Sequence, residues 1–304
     1  MTVPESGGSA ESIRHRLRNT LRARGEDVSL GLQRYASERF LYRLGRSVHR
    51  ERFVLKGATL FAIWGTAYRP TRDLDFTAYG DPEVGAVLSA LRDICNTPDD
   101  VDALIFETDT ITTQPIRDGS EYPGLRIILT ARLGESVAKV QLDLGFGNAI
   151  VPGPEEVEYR SLLGDPSPRI RAYPQESVVA EKLHAMVTLG EQNSRYKDFY
   201  DMHTMANAFV FERGTLVAAV SATFDRRATP ISADLPVALR ATFFSSDARS
   251  AQWRAYVTRN GLARVPEDFA SVGERVGEFL QPIWESLNSE DPARGNWSPG
   301  GPWR

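Results

Sequence analysis

The spacing of apolar residues changes once along this chain, and that change limits the folds open to it. Between Phe53 and Leu144 the apolar runs are short. In Val140-Gln141-Leu142-Asp143-Leu144 they alternate strictly with polar residues, which is the period of a strand with one wet face. After Tyr173-Pro174 the period is helical, with Val178, Val179, Leu183, Met186 and Val187 forming one face of a segment spanning 176–189. Helices are also expected at 11–24, 29–46 (with Ser29 as N-cap), 82–95, 194–209, 216–224, 248–260 and 266–287. Strands are expected at Phe53-Val54-Leu55, at Asp73–Phe76, and in the runs 103–106, 125–133 and 138–144. The chain therefore reads as a helical lead-in (1–50), an α/β core and a helical C-terminal half. The border falls near Gly164-Asp165-Pro166-Ser167-Pro168, giving lobes of 1–165 and 166–304. The tail, 288–304, is rich in Pro, Gly and polar residues and predicts no regular element, although Trp297 and Trp303 could pin it to the body.

Composition bears on function at three points. The single cysteine, Cys95, permits no internal disulfide and reads as a small buried residue in a reducing compartment. The longest apolar stretch, 58–68, is shorter than the roughly 20 residues needed to cross a bilayer, and no secretory signal is recognisable; both point to the cytoplasm. The formal net charge of −4 argues against a broadly basic coat. Residues 1–52, however, hold 11 Arg against 6 acidic residues, a local +5 that suits either a solvated helical surface or a flank for an RNA backbone. Basic residues are overwhelmingly Arg; the four lysines are Lys56, Lys139, Lys182 and Lys197.

Asp73 and Asp75 are two apart, so a strand aims both carboxylates to one face while Leu74 and Phe76 face the core. Such a pair repels itself unless a cation intervenes, and a hard oxygen-seeking ion such as Mg²⁺ suits it. An Asp-x-Asp also occurs on many solvated surfaces, so the pair needs company. If the strand of Asp143 neighbours that of Asp73 and Asp75, three carboxylates converge as in a two-metal phosphoryl- or nucleotidyl-transfer site. Upstream, Lys56-Gly57-Ala58-Thr59 links a strand to a helix through small residues whose backbone can approach an anion, without the length of a Walker loop. Downstream, Lys182 could neutralise phosphate charge or lie along the surface, and His184 beside it reads as a packed histidine. Asp198 and Asp201 share a helical face, and a local Lys197–Asp201 ion pair is the plainer reading of that segment.

Taken in order, Gly57-Ala58-Thr59, Thr71-Arg72-Asp73-Leu74-Asp75-Phe76, Asp143, Glu181-Lys182-Leu183-His184-Ala185 and Arg195-Tyr196-Lys197-Asp198-Phe199-Tyr200-Asp201 resemble the AbiEii/AbiGii toxin family of nucleotidyltransferases, which includes the MenT toxins and belongs to the DNA polymerase β-like superfamily. The resemblance spans nearly the whole chain. It implies an α+β, bilobed fold: an N-terminal nucleotidyltransferase lobe with a mixed sheet, then a C-terminal helical lobe. It also implies Mg²⁺-dependent use of a nucleoside triphosphate, tRNA as acceptor at its 3′ end, and a cognate antitoxin. By the same resemblance Asp73 and Asp75 are the metal pair, Asp143 the third carboxylate, and Lys182 the motif lysine, with Asp198 and Asp201 its Asp-x-x-Asp. Lys56, Gly57, Ala58, Thr59 and Lys182 then bind the nucleotide. Many superfamily members carry Gly-Gly or Gly-Ser at the turn where this chain has Gly57-Ala58, which shifts phosphate binding to backbone N–H groups and Thr59. Two other functions share these residues: the same transfer onto a protein or small-molecule hydroxyl, and a degenerate fold that only binds a partner or RNA.

Overall fold

The period-two segment folds into a seven-stranded mixed sheet in the computed structural model, which describes residues 9–66, 71–99, 101–116, 124–262 and 265–304. The chain divides into two units. The first comprises 9–63, Thr71–Gly147 and Glu155–Ala172, and the second comprises 64–66, Asn148–Pro154 and Tyr173–Arg304. Arg69, Pro70 and part of the apolar stretch at 58–68 lie outside the described residues.

The first unit opens with α1 (Ala10–Arg24) and α2 (Val28–Arg46). Ile13, Leu17 and Leu21 recur every four residues and are the buried face of α1. Ser29 does not cap α2: Asp27 does, its carboxylate accepting from the Leu30 amide at 2.9 Å, which leaves Ser29 inside the first turn. Then come β1 (Phe53–Lys56), the five-residue α3 (Thr59–Ile63), β2 (Asp73–Ala78), α4 (Val84–Cys95), β3 (Ile105–Ile116), β4 (Gly124–Leu133), β5 (Ser136–Phe146), β6 (Glu155–Glu158) and β7 (Arg169–Ala172).

The strand order is β3-β4-β5-β2-β1-β7-β6. β3, β4 and β5 form an antiparallel meander, and β5 then runs parallel to β2 at the centre. β1 pairs antiparallel with β2 and parallel with β7, so the first unit extends past the border expected at 165. Sequence reading passed over β6 and β7 because four-residue segments dominated by charge, as in Glu155–Glu158, offer too little apolar period. β3 runs ten residues beyond the expected 103–106: it is an edge strand rich in Thr, which needs little burial.

The apolar face of the sheet is filled from β2 by Leu74 and Phe76, from β5 by Val140, Leu142 and Leu144, and from α2 by Tyr35, Phe40 and Leu41, all nearly inaccessible. α2 also buries charge. Arg39 binds Asp99 at 2.6 Å and Asp102 at 3.2 Å, and Arg43 grips Asp102 through two bonds of 2.5 and 3.0 Å. Glu38 accepts from the Leu162 amide at 2.7 Å, and Tyr35 donates to Asp165 at 3.0 Å. Two arginines of the +5 segment are thus interior ion partners, neither solvated surface nor RNA flank. Arg16, Arg18, Arg22 and Arg24 on α1 are exposed.

The second unit contains α5 (Gln175–Leu189), α6 (Tyr196–Ala208), β8 (Phe211–Glu212), α7 (Arg213–Arg226), α8 (Ala241–Phe244), α9 (Asp247–Arg259), α10 (Phe269–Leu287) and β9 (Asn296–Trp297). Its core is aromatic: Phe269 meets Tyr196, Phe199, Phe243, Phe244 and Trp253 at centroid distances of 4.9 to 6.3 Å. The tail forms a regular element after all. β9 pairs antiparallel with β8, Trp297 is fully buried with its indole N–H on the Ala206 carbonyl at 2.7 Å, and Trp303 stacks on Phe279. The two indoles supply the burial that the Pro/Gly composition does not.

Candidate active site

The candidate site of the first unit starts from the pleat of β2. Leu74 and Phe76 turn into the core, so Asp73 and Asp75 must share the opposite face, half-buried. The parallel pairing of β2 with β5 sets Asp143 directly beside Asp75. One carboxylate oxygen from each of Asp73, Asp75 and Asp143 lies within 4.8 Å of the other two. An all-oxygen set at this spacing fits a hard divalent ion, since oxygens on opposite sides of Mg²⁺ are about 4 Å apart. Asp73 is oriented by Thr71, whose hydroxyl donates to Oδ1 at 2.7 Å.

The Lys56–Thr59 segment bounds this trio. Lys56 ends β1 opposite Asp75 in the antiparallel register. Gly57 has φ +75°, and a Cβ there would sit 2.2 Å from Asp75 Oδ2, so glycine serves both the turn and the close approach of the carboxylate. Ala58 and Thr59 are buried. Their side chains support the turn, leaving the backbone as the part that an anion could meet.

One charged neighbour escaped sequence reading. Arg126 on β4 is the direct cross-strand partner of Asp143, and its guanidinium takes both oxygens, Nε to Oδ1 at 2.9 Å and Nη2 to Oδ2 at 2.7 Å. Gln141 adds a bond to Oδ1 at 3.3 Å. The bond with Asp143 is the first cause of a raised Arg126 pKa; the charges of Asp73 and Asp75 act in the same direction. Arg126 alternates with apolar Leu125 and Ile127, a signal of a strand face, but only the register shows which residue it meets.

The remaining candidates belong to the second unit. Lys182 on α5 is not a surface lysine. Its side chain is 11% exposed, and its ammonium lies 3.0 Å from Asp198 and 2.6 Å from Asp201, both buried on α6. Burial alone would raise the Asp198 pKa, but Lys182 and then Arg195, at 2.7 Å, outweigh it and hold the carboxylate below its usual range. The i, i+3 spacing of the two aspartates thus serves to grip one ammonium from another helix. His184 is a packed histidine: it meets the Phe224 ring at 5.0 Å and Thr229 Oγ1 at 2.8 Å, and burial, aided by Arg227, lowers its pKa to about 4. Cys95 is buried, which pushes its thiol up to about 12 and makes it a poor nucleophile.

The family model described as "Nucleotidyl transferase AbiEii toxin, Type IV TA system" matches residues 39–275. No curated protein matches the chain. Among solved structures, the fold is similar to that of MenT4, a nucleotidyltransferase toxin of Mycobacterium tuberculosis H37Rv, at 20% identity and TM-score 0.56, covering 91% of this chain and 90% of that one. It is also similar to JHP933 of Helicobacter pylori at 14% identity and TM-score 0.47, covering 90% and 93%.

Proposed function

We propose, from the premise that this chain belongs to the AbiEii family of nucleotidyl transferase toxins, that it moves nucleotides from a nucleoside triphosphate to the 3′ acceptor end of tRNA and so blocks aminoacylation. The observation that carries this reading is the convergence of Asp73, Asp75 and Asp143 on neighbouring strands, their oxygens within 4.8 Å. In this reading the three hold Mg²⁺, which when bound supplies Lewis acidity toward the triphosphate and the attacking hydroxyl.

The chain supplies the rest. Thr71 fixes the Asp73 carboxylate, Gly57 leaves the room that Asp75 occupies, and a carboxylate of the trio takes the proton of the attacking hydroxyl. Lys56 and the backbone of Gly57–Thr59 meet nucleotide phosphate. Lys182 is assigned to charge that develops on the polyphosphate, where a compact ammonium serves better than a planar guanidinium. Asp198 and Asp201 are positioning residues, since both are buried against Lys182. The exposed Arg18, Arg22 and Arg24 of α1 suit a polyanionic acceptor. A type IV family further implies an antitoxin partner. The proposed compartment is the cytoplasm, where tRNA is; among the described residues no helix is long and apolar enough to cross a membrane.

The test is incorporation of each labelled nucleoside triphosphate into total tRNA in the presence of Mg²⁺. Wild type should label tRNA 3′ ends and Asp75→Ala should not. Label on a protein or small molecule instead would move the acceptor to another hydroxyl. No label on any acceptor would overturn the enzymatic reading.

A further inference from the structure

We propose that Arg126 is a resident counter-cation that competes with the divalent ion for Asp143 and so sets how readily the protein takes up that ion. The proposal rests on the reading of Asp73, Asp75 and Asp143 as the ion's ligands. Three ionised carboxylates in so small a space repel one another, and nearby positive charge relieves that repulsion. In the structure Arg126 contributes one such charge.

A carboxylate offers roughly four acceptor positions. At Asp143 three are engaged, two by Arg126 and one by Gln141. Asp73 accepts one bond from Thr71. An ion bound between Asp73 and Asp75 therefore finds its third ligand shared with another cation, and the two compete for its charge. β4 and β5 fix Arg126 opposite Asp143, while its side chain is 40% exposed and can swing toward solvent. Competition at Asp143 follows from this combination of a fixed root and a mobile head.

The experiment titrates the full chain with Mn²⁺ alone, without nucleotide, and reads bound ion by calorimetry or by the loss of the free-ion resonance. Removing one positive charge about 6 Å from a divalent ion is worth roughly tenfold in affinity. Arg126→Gln should therefore bind Mn²⁺ roughly tenfold more tightly than wild type. In an Asp143→Asn background, where the fork loses its anchor and the half-exposed Arg126 can swing to solvent, the same substitution should gain much less than tenfold. If Arg126 served only to brace Asp143 as a ligand, the single variant would bind Mn²⁺ more weakly; weaker or unchanged binding overturns the proposal. Should Arg126→Gln fail to fold, Arg126→Lys, which keeps a charge but loses the fork, is titrated instead: a rise of about two- to threefold supports competition and no rise overturns it. Wild type that binds no Mn²⁺ would refute the ion site itself, a result distinct from the failure of Arg126's role.

Discussion

Gly57→Ala should disable the protein while leaving it folded, and a second glycine separates the two effects. Gly57 has φ +75°, and its added Cβ would meet Asp75 Oδ2 at 2.2 Å, Cγ at 2.9 Å and Cβ at 3.0 Å. Gly25, which ends α1, has a similar φ of +67°, and nothing lies within 4 Å of its added Cβ. Both alanines incur the left-handed backbone cost, about 1–2 kcal/mol, or roughly 2–8 °C of melting temperature for a domain of this size. Only Gly57→Ala also displaces a carboxylate. Asp75 can rotate away, so the extra stability loss is modest, but misplacement by about 1 Å costs on the order of a hundredfold in rate. Melting curves, Mn²⁺ titration and tRNA labelling are the assays. Gly25→Ala should melt lower yet bind Mn²⁺ and label tRNA as wild type does. Gly57→Ala should melt similarly low, with Mn²⁺ affinity and labelling both lost. A Gly57→Ala protein with wild-type affinity and rate would refute the claim that this glycine exists to admit Asp75.

Lys182→Ala should cost stability as well as transfer, by about 3–5 kcal/mol in denaturant titrations, because it strands two buried carboxylates; an unchanged midpoint would contradict the buried grip. Asp198 has a lowered folded pKa, so its contribution is present above the unfolded value of about 4 and is lost as pH falls through the folded value; wild type should show this acid-side loss and Lys182→Ala much less of it. The lowered folded pKa of His184, about 4, likewise means stability that is full above about pH 6.5 and declines between about 6.5 and 4. His184→Asn should flatten that slope in melting temperature but not abolish it, because His203 is lowered to about 4 by burial too. Trp303→Ala should destabilise the second unit by roughly 2–3 kcal/mol by uncovering Phe279, without changing Mn²⁺ affinity.

What was legible in the sequence follows from which forces act locally. The alternation Asp73-Leu74-Asp75-Phe76 could be read because each apolar residue must be buried, and the pleat then dictates where the acids point. Asp143 was reachable by the same argument on its own strand, but its place beside Asp75 depends on strand register, which no local pattern encodes. Arg126 was invisible for that reason. Arg39 and Arg43 were misread because arginine is usually solvated; their burial depends on Asp99 and Asp102, some sixty residues away. Asp198 and Asp201 had the right spacing for one helical face, but their partner is on another helix, so the expected local pair with Lys197 gave way to a long-range one with Lys182.

The pairing of β2 with β5 also has a consequence for synthesis. Asp75 and Asp143 are neighbours in the sheet but separated by the whole of α4, β3 and β4 in the chain. During translation, at some 5–20 residues per second, the Asp73/Asp75 pair emerges several seconds before its third member exists. A growing chain therefore carries an incomplete trio for that interval. The long sequence separation delays assembly of the set until most of the first unit has been made.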